Sequence, residues 1–408
     1  MLDIGFVRSM FPAYRSGEVT GHAFDAAAGS FPCQQTVDAL HHFYSHLKVQ
    51  PANPYAMSEQ AWQQMEASHQ RWAEALGVKT TEIGFGPSTS QNTYVLAQAF
   101  RQILQPGDEV IVTNQDHESN TGAIRRAVLE AGATLREWQV DSTLGLLDMA
   151  DLESLLNSNT RLVCFPHSSN IAGTRNDVKA ITRLIHDAGA LSMVDGVSYA
   201  PHEIPDLGDL GCDIYVFSLY KVFSVHQGIL MVKEAVLEQL PPQYHHFKQE
   251  LNVQDRLIVA GPDHAQIAAS GAVFDYISAL ATHHGISGDL PAVVRQVSDL
   301  WHAQEQTLVQ RFTDWVATRN DIRLLGSPMA TAERCPLFAM DLQAHDPWNF
   351  CQTLCADDIW CTAGHCYAPR ILEAVGVDPA RGVLRFSLAH YNDLQDIDAA
   401  IAAMEKAL

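Results

Sequence analysis

Basic side chains are scarce in this chain of 408 residues: 26 Lys plus Arg stand against 47 Asp plus Glu, for a formal net charge of -21. Binding a phosphate backbone needs clustered cations that release counterions, so a nucleic-acid partner is excluded. Long apolar runs are missing too. None reaches the roughly 20 residues that span a bilayer, and the opening MLDIGFVRSMFPAY has no basic segment leading into an apolar one. A cytoplasmic protein without a membrane partner is expected. Eight cysteines make no disulfide framework in a chain this long. Four of them, Cys351, Cys355, Cys361 and Cys366, do cluster. Cys351 and Cys355, however, follow a helical pattern rather than the two-residue spacer of most structural zinc sites, so no metal is expected. No Gly-x-Gly-x-x-Gly follows a strand pattern, which weighs against a dinucleotide cofactor.

The 47% of hydrophobic residues are enough to fill real cores. From Thr80 to Val232, short apolar runs alternate with amphipathic helical patterns. EVIVTNQDH, TRLVCFPHSS, LSMVDGV, CDIYVFSLY and GILMVK read as buried strands, while NTGAIRRAVLEAG and DVKAITRLIHDAG read as helices stopped by glycine. This predicts a three-layer α/β/α fold with a mainly parallel sheet. After the long helical pattern AVVRQVSDLWHAQEQTLVQRFTDWVATR, the stretches CPLFAMDL, IWCTAGHCY and GVLRFSLAHY predict strands of a smaller α+β unit closed by a last helix. The expected division is 1–288 and 289–408, with the N-terminal segment packed on the smaller unit.

Only seven lysines occur, and one, Lys221, lies in the apolar stretch VFSLYKVFSVHQG. Poor hydration there would lower its pKa and raise the share of neutral amine, which can form a Schiff base. Function in such a sheet gathers at the carboxyl ends of its strands. Ser88, Thr89 and Ser90 stand where a strand gives way to a helix and could hold a phosphate. His117 closes the strand of VTNQDHESN, where an imidazole could stack on a ring or relay protons. Asp195 follows an apolar strand and would need a cation as partner. Taken singly, each has an ordinary explanation as a helix cap, a structural histidine, a turn residue or a snorkelling lysine. Taken together, a phosphate cradle, a ring stacker, a carboxylate for a heterocyclic nitrogen and an amine for an aldehyde describe pyridoxal phosphate.

At this point the chain resembles the class V branch of fold-type I pyridoxal phosphate enzymes, the cysteine desulfurase-like and isopenicillin N epimerase-like group. FDAAAGSFP, NPYAMS, DHESN, HSSNIAGTRND, VDGVSYAPH, FSLYK and LRFSLAHYN carry the resemblance, in the family's order. It implies Lys221 as the lysine that holds the cofactor, Asp195 at the pyridine nitrogen and His117 on the ring, with Thr89 and Ser218 around the phosphate. Asn170 would lie near the cofactor oxygen and the substrate carboxylate, and Arg385 would grip that carboxylate. The family's homodimers share active sites between chains, and His264 falls where a phosphate ligand lent by the partner is expected. Ser198 and Tyr220 replace the usual Gln and His beside the ring. In CTAGHCYAPR the position of the family's persulfide-forming cysteine is Tyr367, with Cys366 one residue off and turned away by strand alternation. Thr362 and Ala363 replace the Arg and Thr of that segment. The implied activity is desulfurase-like C–S bond cleavage on a cysteine-like amino acid without the usual catalytic cysteine. Transamination or epimerisation is the alternative, and a non-catalytic binding protein of the same fold is a third reading.

Overall fold

The computed structural model describes residues 1–247, 250–330 and 333–408. After the short strand β1 (His22–Ala23), one sheet is built from β2 (Ile83–Gly86), β3 (Glu109–Thr113), β4 (Thr134–Trp138), β5 (Thr160–Pro166), β6 (Leu191–Asp195), β7 (Ile214–Ser218) and β8 (Gly228–Val232). The strand order is β2-β8-β7-β6-β5-β3-β4. The pairs from β7 through β4 are parallel, and β8 alone runs antiparallel to both its neighbours. The mainly parallel α/β fold expected from the apolar runs is present.

These runs are apolar throughout because both faces of the sheet are covered. Ile111, Val163, Phe165, Tyr215 and Phe217 enter one core, while Val110, Val112, Leu162, Ile214 and Val216 enter the other, as a side-chain period of two dictates. Helices Ala56–Leu76, Val178–Asp187 and Val273–His283 line the first face, and Thr89–Ile103 and Glu118–Glu130 the second. Each fully buried Leu, Ile, Val or Phe contributes about 1.5–3 kcal/mol. The expected glycine stops hold: Gly132 and Gly189 follow their helices at φ 71° and 79°, where a side chain would be strained.

Beyond residue 288 the helix Leu290–Val316 leads into β9 (Arg323–Leu324), β10 (Leu337–Asp341), β11 (Ile359–Trp360), β12 (Thr362–Gly364) and β13 (Val383–Ser387). Four of these form an antiparallel sheet in the order β12-β13-β10-β9, and β11 pairs in parallel with β1. On β13, Leu384 and Phe386 face a core shared with the closing helix Leu394–Ala407. Val383 and Arg385 therefore share the opposite face, which looks onto the large sheet. The long helix joins both parts: Val294, Val297 and Trp301 belong to the large core, and Leu308, Val309 and Phe312 to the small one. Among the described residues no helix is long and apolar enough to cross a membrane.

One sequence expectation is corrected. The stretch IWCTAGHCY is not strand through Tyr367; β12 ends at Gly364, and Cys366 and Tyr367 both take left-handed backbone, at φ 47° and 57°. Strand alternation therefore does not apply to them. A turn of two consecutive left-handed residues directs Cys366 inward and leaves Tyr367 68% exposed.

Candidate active site

The side chains singled out by sequence come together mostly where β2, β3, β5, β6 and β7 end. Past β2, Ser88 caps the helix Thr89–Ile103, its Oγ accepting from the Gln91 amide at 3.1 Å. The buried Thr89 hydroxyl lies 2.8 Å from the Ser218 hydroxyl at the end of β7. Ser90 is exposed, and its carbonyl accepts from the Thr93 hydroxyl. Facing this helix start is Gly228, where a Cβ would stand 2.4 Å from the Thr89 amide nitrogen, so only glycine keeps the approach to the first helical N–H groups open.

His117 is four residues beyond β3 and caps the helix Glu118–Glu130, its Nδ1 accepting from the Ser119 amide at 3.1 Å. That bond leaves the ring proton on Nε2. Burial, reinforced by the charges of Lys221 and Arg385, lowers its pKa to about 3, so the imidazole is neutral. Asp195, the last residue of β6, is 4% exposed and accepts from the Val197 amide at 2.8 Å. Burial raises its carboxyl to about 6, against the Val197 hydrogen bond and the pull of Lys221. Lys221 ends one tight turn after β7 and is 7% exposed. Among the described residues its ammonium makes no hydrogen bond or ion pair. Burial, with Arg385 adding to it, lowers the amine to about 8 despite the opposing pull of Asp195, Asp25 and Cys366.

His117, Asn170, Asp195, Ser198 and Lys221 line one small, tight cavity, together with Pro166, Ser168 and Val197. At its edge, Arg385 is 4% exposed; it donates to the Asn170 carbonyl at 3.4 Å and stands 3.5 Å from the Asp25 carboxylate. Asn170 donates to the Cys366 carbonyl at 2.8 Å. The Asn170 Oδ1 and Arg385 Nε are buried without hydrogen-bond partners among the described residues. Tyr220 instead stacks on His226, with ring centroids 4.7 Å apart. The exposed Tyr367 ring lies 5.5 Å from that of His117, at the outside of the cavity. His264 is not brought to the cavity of its own chain; it lines a separate groove with Gln50, Trp62 and Tyr244.

Three further residues belong with the site: Asp25 and Asp116, which the sequence does not single out, and Cys366, which it turns away. Asp25 reaches Arg385 because the segment after β1 bridges to Ser387 on β13, a pairing with no local signal. Asp116, held by Thr113 and Asn120, is a fully buried carboxyl raised to about 7 mainly by burial, and its neighbour His117 hid it. Cys366 is the third: its thiol is close enough to Arg385, Asp25 and Lys221 to feel their charges, and burial pushes its pKa up.

The chain aligns with relatives along its whole length. It is 31% identical to an aminotransferase-like protein, FGM3, of Gibberella zeae, over 98% of each chain. It is 28% identical to a cysteine desulfurase of Serratia proteamaculans, over 98% of this chain and 97% of that one. The apo structure of a cysteine desulfurase from Thermococcus onnurineus NA1 superposes with a TM-score of 0.88 at 21% identity, over 100% of this chain and 98% of that one, and so shares the fold. The model of the family "Aminotransferase class-V" matches residues 22–400, from β1 into the closing helix. With the strand ends and their buried amine inside that match, the chain belongs to the class-V aminotransferase family of pyridoxal phosphate-dependent enzymes.

Proposed function

We propose that the protein binds pyridoxal phosphate through Lys221 and acts on an amino acid, with C–S bond cleavage in a cysteine-like substrate as its reaction. The observation that carries this reading is a buried amine, without hydrogen bond or ion pair among the described residues, facing a buried carboxylate across a small cavity, with a guanidinium at its edge. The residues fit the cofactor. The helix start beside Gly228, with Ser88, Thr89 and Ser218, suits a phosphate; His117 suits a ring face, and Asp195 a cationic ring nitrogen. When bound, the cofactor supplies an electron sink for charge developing at the substrate's α-carbon.

With its pKa near 8, Lys221 is neutral in about a tenth of the molecules at pH 7 and can take and return a proton at that carbon. Arg385, with its free Nε, would hold the substrate's α-carboxylate, and the unpartnered Asn170 Oδ1 would accept from a donor beside it. Burial keeps the Cys366 thiol protonated at neutral pH, which makes it a poor nucleophile. Sulfur is then expected to leave as hydrogen sulfide: cysteine and water give a 2-oxo acid, ammonia and sulfide, with no enzyme persulfide needed. Transamination or epimerisation remains the second reading, favoured by Tyr367 at the outside of the cavity and by the aminotransferase-like relative. A homodimer fits both readings, because His264 would need a second chain to reach a phosphate and its groove is bordered by the exposed Trp62.

The test gives yellow holoprotein L-cysteine and a panel of other amino acids. Equal amounts of sulfide, ammonia and 2-oxo acid support C–S cleavage. A 2-oxo acid formed only with a second oxo acid as acceptor assigns transamination, and inverted α-carbons assign epimerisation. Protein that stays colourless with added cofactor, or that carries no pyridoxyl mass on the Lys221 peptide after borohydride, overturns the cofactor reading.

A further inference from the structure

Away from the cavity, three thiols converge. Cys351 and Cys355 lie one turn apart on the helix Pro347–Ala356, and Cys361 sits in the link between β11 and β12. Their Sγ atoms all lie within 4.8 Å of one another, and Cys351 and Cys361 are 3.6 Å apart. Tetrahedral zinc with Zn–S bonds near 2.3 Å places its sulfurs roughly 3.8 Å apart, so the trio needs only small side-chain shifts to hold such an ion. We propose that Cys351, Cys355 and Cys361 form a binding site for a thiophilic divalent cation of the zinc class, with a fourth coordination position open to solvent beside Cys355.

Donor chemistry selects the ion. Three sulfurs, with no carboxylate or imidazole joining them among the described residues, disfavour magnesium or calcium and suit zinc and its softer congeners. Burial is graded in the right sense: Cys351 is buried, Cys361 intermediate and Cys355 exposed, which gives the ion a floor and a way in. The spacing differs from a zinc knuckle because a helix presents ligands at i and i+4, where a knuckle presents them from a turn. Bound metal would tie the helix to the link that precedes β12, and β12 leads directly into the turn bearing Cys366.

Reduced, metal-stripped holoprotein is titrated with Zn(II) against a chromophoric chelator, and separately with Co(II) while its optical spectrum is recorded. One ion per chain, release of protons and a thiolate-to-cobalt charge-transfer band are expected. Cys361→Ser and Cys355→Ser should each weaken zinc on the order of 10²-fold, since loss of a direct ligand exceeds the usual effect of an outer-shell change. Cys355 is exposed, so its variant should keep the fold and the cofactor absorption, and it decides the matter if Cys361→Ser does not fold. Absence of stoichiometric zinc, absence of the charge-transfer band, or unchanged affinity in Cys355→Ser overturns the site.

Discussion

Replacing Lys221 by Met should stabilise the cofactor-free protein at neutral pH. The side chains are similar in length, and the exchange removes a buried ammonium that makes no hydrogen bond or ion pair among the described residues and meets only the Tyr220 ring, 5.9 Å away. Folding lowers this amine from 10.5 to about 8. That difference corresponds to about 3 kcal/mol held against the folded state wherever the lysine is charged in both states. The unfolded chain binds the proton more tightly, so stability from this group is lowest below pH 8 and recovers as pH rises toward 10.5. The shift is already net of the pull of Asp195 and Asp25 on the ammonium, so the expected gain at pH 7 is about 3 kcal/mol. For a chain of 408 residues this is a rise of about 3 to 4 °C in the melting midpoint. Calorimetry of the two cofactor-free proteins at pH 7 and pH 10 measures it. At pH 10 most folded-state amines are already neutral, and the advantage should fall below about 1 kcal/mol. A Met variant no more stable than the parent at pH 7, or a gap independent of pH, would refute the reasoning.

Asp195→Asn should leave cofactor bound but lower turnover at least ~10²-fold, because a neutral amide cannot hold a ring-nitrogen proton; steady-state kinetics on the best substrate checks it. Arg385→Lys keeps the charge and loses the fork, so substrate affinity should weaken by about 1–3 kcal/mol while cofactor absorption is unchanged; an unaltered apparent affinity would place the carboxylate elsewhere. Gly228→Ala drives a methyl to 2.4 Å from the Thr89 amide and should weaken pyridoxal phosphate more than phosphate-free pyridoxal, as read by fluorescence titration.

Much of this was legible before any coordinates. Continuous apolar runs at β5, β7 and β8 mark strands buried on both faces, and glycine after the helices marks their ends, because these signals are local. Lys221, Asp195 and His117 could be gathered at one cavity because a parallel sheet brings its strand ends together whatever their order, and the family resemblance added Asn170. The failures were non-local or conformational. Cys366 was misplaced because nothing in HCY announces two consecutive left-handed residues, a conformation that costs about 1–2 kcal/mol each and is held only by its surroundings. The Glu118 amide grips the Tyr367 carbonyl and Asn170 grips that of Cys366, contacts far apart in sequence. Asp25 escaped notice because its partner Arg385 lies on a strand near the other end of the chain. The sequence shows Cys351, Cys355, Cys361 and Cys366 as one cluster, but not that the first three converge while Cys366 stands apart from them.

The helix Leu290–Val316 has 27 residues and so measures about 40 Å, long enough to be half owned by each core. Between its two halves Glu305 is fully buried and bound to His202 at 2.9 Å, pinning the midpoint. A shared member of this kind removes the option of melting one part while the other survives: releasing the small sheet would strip Leu308, Val309 and Phe312 of their partners and expose the Glu305 carboxylate end of the large core. The chain should therefore unfold as a single cooperative unit, with the amides around Glu305 exchanging only through global opening and the fraying confined to the helix ends.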